Sequence, residues 1–106
     1  MQIPDRWVLA SLFVIRHKPT GFLIPQPGSR FGRGGSHVEP MDPKVAVPRL
    51  FYNERQAKAY LGQWVRGKAT CRRFEDGDEI HDLTPTPHRI KSDMEIIPVV
   101  LVPKEF

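Results

Sequence analysis

Six of the chain's eleven prolines and five of its eight glycines fall between Pro19 and Pro48, and this concentration most constrains the fold. Proline has no backbone N–H to give to a helix or a ladder, and glycine loses the most conformational freedom on folding. No long regular element is therefore expected to run through that region. From Gln26 to Val47 no hydrophobic period of 2 or 3.6 persists, so residues 26–47 read as a long Gly/Pro-rich loop. Structureless connections beyond about 12–15 residues are uncommon in small domains unless they are functional or disordered. With 106 residues the chain has room for one core, which makes 1–106 a single domain and excludes a Rossmann enzyme, a barrel or a kinase.

The regular elements must flank the loop. Trp7 to His17 is rich in Val, Leu, Phe and Ile and ends at Lys18-Pro19-Thr20-Gly21, where proline at the second position and glycine at the fourth suit a type I turn. Phe22-Leu23-Ile24 reads as a short return strand, closed by Pro25 and Pro27. After the loop, Asn53-Glu54-Arg55-Gln56 has the spacing of an N-cap with a capping-box glutamine. Ala57, Tyr60, Leu61, Trp64 and Val65 then recur at helical spacing, and Gly67 supplies the stop. Ala69 to Phe74 and Ile80 to Leu83 predict a hairpin around the acidic Asp76-Gly77 turn. Met94 to Val102 is a terminal strand, with Pro98 marking a bulge or an edge. The sum is a small α+β domain: a mostly antiparallel sheet of four to six strands with one helix, about residues 54–66, packed across it.

Charge is distributed in blocks. The net value of +4 conceals a basic stretch over 14–37, a second over 49–73, and five acids within 75–82. A basic surface favours anionic partners. A single cysteine, Cys71, rules out an intramolecular disulfide framework and suits a reducing compartment; it reads as a buried residue on a strand. The apolar run from Trp7 to Ile15 is far shorter than the ~20 residues that span a bilayer, so no membrane segment is expected.

Several polar groups lie in connections, where a rigid scaffold usually carries its binding residues. They are Arg16, His17, Lys18 and Thr20 around the first turn, Arg30, Phe31, Arg33 and His37 in the glycine loop, Arg49 before the helix, and His88 with Arg89 before the last strand. Glycines at 28, 32, 34 and 35 let backbone N–H groups approach an anion, and the interleaved arginines would add charge-assisted bonds to phosphate oxygens. Phe31 is the aromatic placed to stack on a base or insert into a partner. No Gly-Lys-Ser/Thr follows the loop, so it is not a Walker phosphate loop, nor is it a dinucleotide fingerprint. His17, His37, His81 and His88 show no zinc-ligand spacing, and no metal or cofactor is expected. Acid–base chemistry by His17, His37 or His88 with Lys18 as electrostatic stabiliser is chemically feasible, but no spacing forces these groups together.

Arg16-His17-Lys18-Pro19-Thr20-Gly21, Ser36-His37-Val38-Glu39-Pro40, Pro48-Arg49-Leu50-Phe51, the helix, His88-Arg89 and Asp93-Met94-Glu95-Ile96 together resemble a family of small tailed-bacteriophage proteins. That resemblance implies an accessory product acting in the host cytoplasm, of a kind that often counteracts host defence. The resulting expectation is a non-enzymatic, homo-oligomeric binding protein that captures a phosphate-bearing ligand, a nucleotide signal or nucleic acid, through its Arg, His and Lys loops. The alternatives are an inhibitor docking an acidic patch on a host enzyme and a small metal-independent ribonuclease.

Overall fold

A computed structural model describes residues 11–27 and 35–101. Its elements run β1 (Ser11–His17), α1 (Glu54–Arg66), β2 (Lys68–Arg73), β3 (Glu79–Thr84), a one-turn 3-10 helix (Lys91–Asp93) and β4 (Met94–Val100). The fold is α+β, and the four antiparallel strands form two two-stranded sheets, β1 with β4 and β2 with β3. The expected start of the first strand at Trp7, the glycine-loop residues Arg30, Phe31 and Arg33, and the side chain of Cys71 lie outside the described residues and atoms.

β1 and β4 pair in the register Ser11↔Val100 to His17↔Met94, which joins the two ends of the chain. Pro98 sits opposite Phe13 without disturbing the ladder. The reason is that Phe13 sends both its backbone groups to the other side: its N–H donates to Phe51 O and its carbonyl accepts from Phe51 N–H, each at 2.9 Å. Residues opposite each other in an antiparallel ladder alternate between bonded and non-bonded pairs, and a proline fits the non-bonded position.

The return segment after β1 makes isolated bridges, Arg16↔Leu23, Leu23↔Met41 and Pro25↔Pro48, in place of a continuous strand. Pro25, Pro27 and Pro48 carry no N–H, so a longer ladder has no donors. The connecting turn is wider than a type I turn: Gly21 N–H donates to His17 O at 2.8 Å, and Gly21 takes a positive φ of 73°. The described parts of the long loop are tied down rather than loose, with Gln26 N–H on Val47 O at 2.7 Å and Leu23 and Met41 exchanging bonds.

Helix α1 follows its sequence signals closely. Asn53 is the N-cap, its side chain accepting from Gln56 N–H at 2.8 Å, while Gln56 reaches back to accept from Tyr52 N–H at 3.3 Å. Ala57, Tyr60, Leu61 and Trp64 are buried against Ile15, Ile24, Phe51 and Met94, and this cluster is the core. Burying each of the aliphatic side chains larger than alanine contributes roughly 1.5–3 kcal/mol. The β2–β3 hairpin, by contrast, leaves every residue of β3 exposed. Its base is held by the 35–38 segment: Ala69 N–H donates to Ser36 Oγ at 2.9 Å, and His37 Nε2–H donates to Ala69 O at 2.8 Å.

Gly67 ends the helix at φ 138°, and a Cβ there would stand 2.1 Å from the Thr84 carbonyl oxygen. A side chain therefore meets fixed backbone as well as an unfavourable φ. Gly67→Ala is expected to lower stability by about 3 kcal/mol, read as a fall in melting temperature. Gly62→Ala, on the helix with nothing within 4 Å of a new Cβ, is expected to raise stability by about 0.5–1 kcal/mol.

Candidate functional site

The end of the β1–β4 sheet meets the last turn of α1, the 35–41 segment and the turn around residues 86–90 at a cleft of about 290 Å³. Its polar lining comes from His17 at the end of β1, Thr20 in the following turn, Glu39 and His88; Phe22, Pro40, Trp64, Ile90 and Met94 supply apolar walls. Apolar walls with a few convergent polar groups are the usual make-up of a small-ligand site.

Arg89 holds these parts together. Its side chain is fully buried, and its five N–H donors all have partners. Nε and Nη2 donate to Glu39 Oε1 at 3.1 and 2.9 Å, Nη1 donates to Ser36 O and Trp64 O at 2.8 Å each, and Nη2 also donates to Val38 O at 3.4 Å. The guanidinium lies 4.3 Å from the centre of the Trp64 ring, and Trp64 Nε1–H donates to Val38 O at 2.8 Å. One side chain thus satisfies a carbonyl of the helix's last turn and fixes the 36–39 segment beside it. A residue expected to bind ligand is instead the floor of the cleft, because its hydrogen-bonding capacity is spent inside the protein.

Glu39 accepts from His88 Nε2–H at 2.9 Å on the same oxygen that Arg89 uses. Burial by itself would raise the Glu39 carboxyl, but the hydrogen bonds from His88 and Arg89 and the nearby Arg89 charge outweigh it and hold the group below its ordinary value. Glu39 therefore stays ionised at neutral pH, with the Arg89 guanidinium and the His88 ring on one oxygen. Across the cleft, His17 Nδ1 and Thr20 Oγ1 are 2.8 Å apart, and Thr20 Oγ1 also accepts from Phe22 N–H at 3.2 Å. Each histidine has one ring nitrogen held by a neighbour.

The remaining expected site residues divide by position. Arg16 pairs with Glu95 across the β1–β4 sheet, and Lys18 is exposed on the turn beside His17. His37 is bonded at the base of the hairpin. Arg49 packs over the Phe51 and Tyr60 rings, 5.0 and 4.6 Å from their centres. Burial raises the Tyr60 hydroxyl to about 12 against the lowering effect of Arg49, so it remains a donor, and it bonds Gly35 O at 2.7 Å. Of the residues singled out from sequence, His17, Thr20, His88 and Arg89 meet in the cleft. Glu39 was missed, although it is the first acid after Asp5 and lies between the two basic stretches.

Among the described residues no group of three or more His, Cys, Asp or Glu is placed to hold a metal ion, and no helix is long and apolar enough to cross a membrane. The chain matches no protein-family model, no curated protein and no solved structure. The functional reading therefore rests on the geometry of the cleft.

Two outcomes test this description. Arg89→Lys, which cannot supply five donors in a fixed fork, is expected to destabilise the protein by on the order of 3 kcal/mol in a denaturant titration. The lowered Glu39 carboxyl contributes stability above its ordinary value of 4.5, and that contribution is lost as pH falls through the lower folded value. Melting temperatures of wild type and Glu39→Gln should accordingly converge as the pH drops below that range.

Proposed function

We propose that this protein binds a phosphate-bearing ligand, a nucleotide or a strand of nucleic acid, in the cleft between His17, Thr20 and His88. The supporting observation is the convergence of these three polar side chains, from separate connections, on one concave surface with aromatic and aliphatic walls. Imidazoles and a hydroxyl can donate to phosphate oxygens, and the walls of Phe22 and Ile90 suit the flat face of a base. Glu39 does not repel such a ligand, because its charge is matched by the buried Arg89 guanidinium. Lys18 beside His17 and the net charge of +4 add long-range attraction. With the resemblance to small tailed-bacteriophage proteins, the reading extends to a host nucleotide signal or host RNA met in the bacterial cytoplasm, and to a homo-oligomer as the working form.

Isothermal titration with mononucleotides and fluorescence anisotropy with labelled oligonucleotides test the reading. Binding is expected to weaken about tenfold or more in His17→Ala and in His88→Ala, the loss of one charge-assisted bond. For an oligonucleotide, log affinity should fall linearly with log salt, whereas a compact nucleotide shows a shallower slope. Flat curves for both ligand classes at low salt overturn it.

A further inference from the structure

The β2–β3 hairpin and the outer face of α1 are exposed surfaces that the cleft does not use, and they carry opposite charge. All six residues of β3 are exposed, and so are residues 74–78 at the tip of the hairpin, so the tip is not packed on its own domain. Its turn is nonetheless well formed: Phe74 N–H donates to Asp78 O at 2.8 Å, Gly77 N–H donates to Phe74 O at 3.1 Å, and Gly77 takes a φ of 89°. The tip presents Glu75, Asp76 and Asp78 to solvent. The register Arg72↔Ile80, continued by the Phe74 to Asp78 bond, sets Phe74 and Ile80 on one face of the hairpin. They are 48% and 40% exposed. The hairpin therefore ends in an apolar pair beside three acids.

On a helix, residues spaced by three and four fall along one line. Arg55, Ala59, Gly62 and Arg66 make such a line on the face of α1 away from the core. A Cβ at Gly62 would have nothing within 4 Å, so the middle of the line is a shallow, uncovered strip with an arginine at each end. About 16 Å of helix rise separates the two arginines. Lys58 lies beside the strip, paired with Glu54 at 3.2 Å.

We infer that this strip is the docking site for the hairpin tip of a second copy of the chain, and that two copies exchange tips about a two-fold axis. The inference rests on the homo-oligomer of the reading above and not on its ligand. Charge complementarity selects the occupant: the tip is acidic, the strip is basic, and one sequence supplies both halves of the contact. Phe74 and Ile80 lie over Ala59 and Gly62, whose small size leaves room for an aromatic ring, while Glu75, Asp76 and Asp78 approach Arg55 and Arg66. An apolar centre with a charged rim is the usual anatomy of an interface. The tip does not meet its own strip, because β2 starts at Lys68, directly after the helix, and carries the tip about 20 Å from the helix end. Two-fold exchange makes the contact twice and leaves no tip or strip unused.

The full chain at low salt, measured by native mass spectrometry and sedimentation velocity, should have the mass of two chains, and the dimer should weaken as salt is raised. A tip-reversed variant, Glu75→Lys with Asp78→Lys, and a strip-reversed variant, Arg55→Glu with Arg66→Glu, should each weaken the dimer by about tenfold or more. All four positions are exposed, and circular dichroism checks that both variants stay folded. Mixed in equal amounts, the two variants should form a dimer within a few-fold of wild-type affinity, since the reversed tip meets the reversed strip and the native tip meets the native strip. Gly62→Gln, better suited to a helix than glycine, should stay folded and lose the dimer, because its side chain fills the strip. A single-chain mass at every concentration overturns the inference, and so do a dimer indifferent to both reversals and variants that stay single when mixed. A single-chain wild type that loses oligonucleotide binding on strip reversal gives the strip to nucleic acid and overturns it too. Nucleotide binding by a chain that is never dimeric leaves the ligand reading of the cleft standing. A charge-sensitive dimer that binds neither nucleotide nor oligonucleotide supports the inference and overturns that reading.

Discussion

A buried guanidinium is costly to desolvate unless every one of its donors is met, and Arg89 is the point on which the arrangement of this protein depends. Its partners come from two separate places: the 36–39 segment, through the Ser36 and Val38 carbonyls and the Glu39 carboxylate, and the Trp64 carbonyl in the last turn of α1. None of these segments is a strand of the main sheet. The long Gly/Pro-rich connection has few ladder bonds of its own, so its descent onto the helix is fixed by Arg89 and by the Trp64 Nε1–H and Tyr60 hydroxyl donors that meet Val38 O and Gly35 O. Over residues 35–38 the loop is thus held by side-chain donors that reach its carbonyls.

The same arrangement creates the cleft. With Glu39 fixed by Arg89, His88 is turned toward the carboxylate, and the β1–β4 register brings His17 opposite Met94 at the end of the sheet. The two histidines are 71 positions apart in sequence, yet they face one concave surface because β1 and β4, from opposite ends of the chain, are paired. The hairpin of β2 and β3 contributes little to this. A two-stranded sheet with an exposed strand is marginal alone, and its attachment runs through Ser36 and His37, the residues next to the Arg89 anchor.

Much of the local structure was legible. The Asn53 cap, the Ala57-Tyr60-Leu61-Trp64 stripe and the Gly67 stop specify α1, because capping and helical periodicity act over a few residues. The Asp76-Gly77 turn and its flanking strands are readable for the same reason. Pro98 was readable only as an edge or a bulge; its place beside Phe13 is harmless because Phe51, distant in sequence, takes the Phe13 bonds. Arg89 was grouped with surface cations, and Glu39 passed over, since nothing in the neighbourhood of either residue in sequence signals burial or a partner fifty positions away.

The sequence by itself determined that this is a small α+β domain with one amphipathic helix, no disulfide framework and a long connection that cannot be a regular element. These are consequences of periodicity, proline geometry and cysteine count, all of them local or compositional. Which of the dispersed Arg, His and Lys groups meet was decided only by the tertiary structure. Electrostatic and hydrogen-bond partnership depends on distance and dielectric, and both are set by how segments far apart in the chain pack. Packing turned Arg89 inward as a strut, bound His37 at the foot of the hairpin, and left His17 and His88 in one cleft.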